Sequence, residues 1–211
     1  MPSEKKKAAA DYPRVNIESR AALRAWFAAN HRSATGVWLV TMKRSVGGVV
    51  TWNDIVEEAL CVGWVDSLPR KLDATHTMLL VTPRKPQSNW SAKNKAHVAA
   101  LEAQGLMRTA GRAAIEVAKA NGRWDALNDV TAMKVPADLA AALANHPNAK
   151  RHWDAFPPST KRGILEWIGL AKQATTRATR VSETARLANE NIRANQWRQP
   201  KTAIRPPAKS K

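Results

Sequence analysis

Cysteine is nearly missing from this chain: Cys61 is the single thiol in 211 residues. An intramolecular disulfide is therefore excluded, as is a Cys-rich zinc module, and a reducing compartment fits. No stretch approaches the roughly 20 apolar residues that span a bilayer. The basic start, Met1-Pro2-Ser3-Glu4-Lys5-Lys6-Lys7, is not followed by the apolar segment of a secretory signal. The expectation is a cytoplasmic protein without membrane insertion. Tyrosine and phenylalanine are scarce, one and two residues against nine tryptophans. The large apolar anchors therefore fall at Trp26, Trp38, Trp52, Trp64, Trp90, Trp124, Trp153 and Trp167, and are expected mostly in the core. Neither a Gly-rich phosphate loop nor a dinucleotide fingerprint is present, Gly47-Gly48 being a turn. The five histidines are scattered without metal-ligand spacing, and no serine stands in a nucleophile-elbow motif. No cofactor and no metal are expected, and catalysis has little to rest on.

What is present in excess is positive charge, a formal net +17. Residues 1–149 hold 20 basic and 13 acidic groups and residues 150–211 hold 14 and 4, a surplus of seven against ten. Such a field attracts nucleic acid, anionic lipid or acidic proteins, and it also serves plain solubility. Hydrophobic residues at 44% place the chain among folded proteins rather than disordered ones.

The pattern along the chain implies an α+β fold. Residues 1–17, basic, Ala-rich and holding Pro13, read as a flexible leader. Ser19 caps a helix that carries Leu23, Trp26, Phe27 and Asn30 on one face. Val37 to Met42 is dense in β-formers and reads as a strand. Thr51 with Asp54 three residues on forms a capping-box start for a helix whose apolar face holds Trp52, Ile55, Val56 and Ala59. A β-hairpin then runs from Trp64 to Thr82, with Pro69 forcing its strand to an edge or a bulge. Helices ending at Gly105 and Gly122 close this half. The expectation is a small antiparallel sheet covered by helices over residues 18–128, then an all-helical module over 129–196. A basic, disordered tail over 197–211 completes it. Within the helical module Val181, Ala185, Ala188 and Ile192 make a buried stripe.

The run Glu57-Glu58-Ala59-Leu60-Cys61-Val62-Gly63-Trp64-Val65-Asp66-Ser67, with Thr82-Pro83-Arg84, Ser88, Trp90-Ser91 and Asn94, resembles the YdeI/OmpD-associated, or bacteriocin-protection, family. In the second half Val135-Pro136, Leu139, Leu143, Trp167, Ala171-Lys172, Thr176-Arg177 and Arg180 resemble that family's small helical module. The resemblance runs over roughly residues 18–190. It implies a role in tolerance to bacteriocins or antimicrobial peptides, and names no reaction.

Two clusters stand out as candidate sites. Trp64, Asp66, Ser67, Arg84, Ser88, Trp90, Ser91 and Asn94 form the densest polar constellation, with Arg70 beside it. As a site it binds a small anionic or polar ligand, Arg84 offering a planar fork and the helix start at Ser91 free N–H groups. As architecture, Ser88 or Ser91 caps the helix, Asp66 pairs with an arginine and the tryptophans fill the core. Asn94, on the apolar face of its helix, requires a hydrogen-bonding partner. The second cluster, Lys172, Arg177 and Arg180, either contacts phosphate or nucleic acid or pairs with carboxylates and carbonyls between helices. Two further readings stay open: nonspecific nucleic-acid binding through the basic tail, and an enzyme with an unrecognised site near Asp66.

Overall fold

Residues 37 to 40 explain the centre of the first half. In a strand successive side chains point to opposite faces, and here Val37 and Leu39 enter one core while Trp38 and Val40 enter another. A strand buried on both faces reads as an unbroken apolar run, which is how this segment looks. The structure is a computed structural model that describes residues 9–200. The chain divides into two units, Met1–Ala126 and Leu127–Lys211.

The first unit is built on a four-stranded sheet of β1 (Arg14–Asn16), β2 (Val37–Met42), β3 (Trp64–Lys71) and β4 (His76–Pro83), in the order β1-β2-β4-β3. With it go α1 (Arg20–Asn30), α2 (Trp52–Cys61), α3 (Ala92–Ala103) and α4 (Thr109–Ala120). The α+β class holds, but the sheet is mixed rather than wholly antiparallel, because β1 pairs in parallel with β2. β1 lies in the segment expected to be a flexible leader. Its order has clear causes: the Trp38 amide donates to the Pro13 carbonyl and the Ile17 amide to Val40, both at 2.8 Å. The Trp38 indole donates to the Ala9 carbonyl at 2.7 Å, and Ile17 is buried. Three residues are too few to show an alternating pattern. Of the leader expected over residues 1–17 and the tail expected over 197–211, residues 1–8 and 201–211 lie outside the described residues.

The helix starts follow their caps. Ser19 Oγ accepts from the Ala22 amide, and Thr51 and Asp54 exchange side-chain and backbone bonds in a full capping box. α2 is buried on two sides: Ile55 and Ala59 join the sheet core with Leu23, Phe27 and Trp64, while Val56, Leu60 and Cys61 join Trp90, Leu101 and Ile115. The turn from α2 into β3 needs Gly63, whose φ is +76°. β3 is an edge strand with a bulge between Asp66 and Leu68, which is where Pro69 is tolerated.

In the second unit, among the described residues, all the regular structure is helical: α5 (Asn128–Thr131), α6 (Ala137–Ala144), α7 (Ala149–Ala155), α8 (Pro158–Gly169) and α9 (Ala174–Asn189). Val181, Ala185 and Ala188 of α9 pack with Leu139, Leu143, Trp153, Phe156, Ile164 and Ile168. Ile192 is buried as expected, but beyond the helix, since Asn191 turns the chain at a φ of 57°. No described helix is long and apolar enough to cross a membrane.

The tryptophans divide. Trp38, Trp64, Trp90 and Trp153 are buried, while Trp26, Trp124 and Trp167 are partly so. Trp52, expected on an apolar face, is exposed: as the first residue of α2 it turns its indole out to donate to Asp66 Oδ2 at 3.1 Å.

Candidate functional site

Where β4 ends, the Arg84 amide donates to the Gly63 carbonyl, and this bond sets the side chain running toward α3. The guanidinium lies 3.9 Å from the centre of the Trp90 ring, and its Nη1 donates to the Asn89 carbonyl at 3.0 Å. Nε and Nη2 are buried with no hydrogen-bond partner among the described residues, as are Asn89 Oδ1 and Trp90 Nε1. Burial pushes the guanidinium down to about 10, against a smaller upward pull from the Asp66 charge, so it stays cationic at neutral pH. No carboxylate of the described residues forms an ion pair with it.

A buried cation with two of its three nitrogens unpartnered is costly, and the face of Trp90 offsets only part of that cost. A cavity of about 190 Å³ opens beside it, lined by Arg84, Lys85 and Trp90 and, from α4, Ala113, Ala114 and Val117. The volume lies below the roughly 300 Å³ at which drug-sized sites begin, so the room suits a ligand of a few heavy atoms.

The other residues of the constellation separate by role. Ser91 caps α3, accepting from the Asn94 amide, and Asn94 stands at the third helical position with a half-buried side chain. The buried side-chain amide oxygen without a partner is instead that of Asn89, three residues before the start of α3. Trp64 sits wholly in the core and donates from its indole to the His31 carbonyl at 3.2 Å. Ser67, at the bulge, donates to the Leu80 carbonyl. Asp66 takes the Trp52 indole rather than an arginine as hydrogen-bond partner, and Arg70 lies over Trp38. The Ser88 amide closes a turn on Lys85. Arg84 and Trp90 remain at the cavity, joined by Lys85, while the Asn89 carbonyl accepts from Arg84; the sequence singled out neither Lys85 nor Asn89. The Pro83-to-Pro86 break was the available signal, since it forces this loop off the sheet.

In the second unit the basic cluster is largely committed. Arg177 clasps Asp138 through Nε at 2.7 Å and Nη2 at 3.0 Å. Burial opposes ionisation of Asp138 less than Arg177 favours it, and its carboxyl is held below the ordinary carboxylate range. Arg180 lies over the Trp167 ring and donates to the Trp167 carbonyl. Lys172 is exposed. The arrangement ties α9 to α6 and α8.

The fold thus defines a two-unit protein, α+β then helical, with a buried arginine beside a small cavity. Residues 132–191, within the helical unit, match the family model described as Bacteriocin-protection, YdeI or OmpD-Associated. Residues 15–114 match a second model, described as Domain of unknown function (DUF8412). The motif run from Glu57 to Asn94 lies under this second model, and the first is confined to the helical unit. No curated protein and no solved structure matches the chain.

Proposed function

We propose that this chain is a cytoplasmic binding or stress-protection protein whose first unit takes a small anionic or polar ligand beside Arg84. One observation carries the reading: a guanidinium cationic at neutral pH, without an ion-pair partner among the described residues and with two buried nitrogens unpartnered, belongs to a residue that lines a small cavity. A carboxylate or similar oxoanion would supply the missing acceptors, and the fork of Arg84 suits it. Titration of the full chain with sodium acetate, at ionic strength held constant with chloride, tests this through tryptophan fluorescence, because Trp90 lies against both Arg84 and Trp124. The expected result is a saturable change that disappears in Arg84→Met. A response that persists in Arg84→Met, or that never saturates, would remove the site.

The match over residues 132–191 supports protection against bacteriocins or cationic peptides as the biological role. Deleting the gene is expected to lower tolerance to a cationic antimicrobial peptide, and re-expression of Arg84→Met to restore it only in part. Unchanged tolerance on deletion would count against that role.

A further inference from the structure

A larger cavity, about 340 Å³, opens at the end of α2, between the end of α1 and the start of α4. Its charged lining is unbalanced. Arg24, Arg32 and Arg108 face it with a single carboxylate, Glu58, so two positive charges are left over. Glu58 is itself held by Arg24 at 2.6 Å and by Arg20 at 2.8 Å. Arg32 and Arg108 have no ion pair among the described residues.

The remaining walls narrow the choice of ligand. Thr109 and Ala110 line the cavity as the first two residues of α4, whose start has no side-chain cap, so their N–H groups have no acceptor within the helix. The positive end of that helix adds to the arginines. Phe27, Val62 and Leu106 also line the cavity, an apolar surface that inorganic phosphate alone would leave unused. Cys61 also reaches the cavity, but burial, with Glu58 adding to it, pushes the thiol up to about 11. It is protonated at neutral pH, which suits a cavity that binds rather than one that attacks.

We propose that this cavity is a second anion site, distinct from the one beside Arg84, and that it takes a phosphate monoester with a small apolar body. A dianion matches the two surplus charges, guanidinium forks match phosphate oxygens, and the volume falls within the range of small-molecule sites. The proposal does not depend on the Arg84 reading.

Calorimetric titration of the full chain at low salt with phenyl phosphate provides the test, with inorganic phosphate and benzyl alcohol as the two half-probes. Phenyl phosphate is expected to bind saturably, at least about tenfold more tightly than inorganic phosphate, and benzyl alcohol not at all. Arg32→Ala and Arg108→Ala, both at exposed positions, are each expected to weaken it by about tenfold or more. Ala28→Leu, which fills the cavity and leaves every charge in place, is expected to do the same. Arg84→Met is expected to leave it unchanged. Binding that ignores Arg32→Ala and Arg108→Ala, that survives Ala28→Leu, or that is lost in Arg84→Met would overturn the proposal. So would affinity equal to that of inorganic phosphate, or no saturable binding of phenyl phosphate at millimolar concentration.

Discussion

Trp64→Ala is expected to destabilise the first unit by about 3–5 kcal/mol, the range for truncating a fully buried large aromatic. Only 1% of Trp64 is exposed. Its ring meets Phe27 at 5.6 Å and Trp26 at 6.0 Å, both edge-on, the arrangement aromatic quadrupoles favour. The substitution leaves a cavity between α1 and the sheet and also orphans the His31 carbonyl, which accepts the indole proton. Because the chain has two units, one melting curve would mix their responses. Hydrogen exchange at the amides of Leu39 and Val81, paired strands flanking this core, reads the first unit alone. Protection there is expected to fall by the same free energy. Protection equal to that of the parent chain would mean that Trp64 is free for the ligand role suggested by its place in the motif run.

How far this fold could be read in advance depends on the length of each signal. Caps are local chemistry, and Ser19, the Thr51 and Asp54 pair, and Ser91 all start helices where their spacing placed them. Pro69 announced an edge strand because a missing N–H is a fact about one residue. β1 was not legible. Its three residues, Arg14-Val15-Asn16, carry one apolar side chain and are ordered by bonds to β2 that lie more than twenty positions away. The position of Ile192 was misread for a related reason: a helical stripe predicts burial correctly while remaining blind to the turn at Asn191 that ends the helix.

The site was legible in its apolar and cationic members and not in their partners. Arg84 and Trp90 meet because the loop after β4 folds back to the start of α3, which the Pro83 and Pro86 break and the Ser91 cap both foreshadow. Periodicity put Asn94 with Val98 and Leu101, yet the third residue of a helix stands where the chain is still emerging to solvent, and its side chain is only half buried. Asp66 seemed a natural partner for an arginine. The hairpin register pairs Asp66 with Val81 and Trp64 with Pro83, so Arg84 continues beyond the strand end. The Asp66 carboxylate turns instead to the nearer Trp52 indole. Charge complementarity in a sequence cannot rank such contacts, because distance is set by the register.

Glu58→Gln is expected to cost roughly 2 kcal/mol at neutral pH, less than the 3–5 kcal/mol typical of breaking a wholly buried ion pair, because its arginine partners reach solvent. The Glu58 side chain is 4% exposed, against 35% for Arg20 and 44% for Arg24. Burial alone pushes the Glu58 carboxyl up, but hydrogen bonds and charge from Arg24 and Arg20 outweigh it and hold the group below its ordinary value. A carboxyl depressed in the folded state binds protons more readily when unfolded. Its stabilisation is therefore fully present above the unfolded value, about 4.3, and is lost as pH falls through the lower folded value. The stability gap between the parent chain and Glu58→Gln is accordingly expected to be constant from neutral pH down to about pH 5 and to close below pH 4. Asp54 is lowered too, with burial opposing and Thr51 and Arg20 prevailing, so the variant keeps a weaker acid limb of its own. Exchange protection at Leu39 and Val81 across a pH series, corrected for intrinsic rates, measures both curves. A gap that widened toward acid would mean that the Glu58 carboxyl is easier to protonate in the fold than out of it, and that Arg20 and Arg24 do not hold its charge.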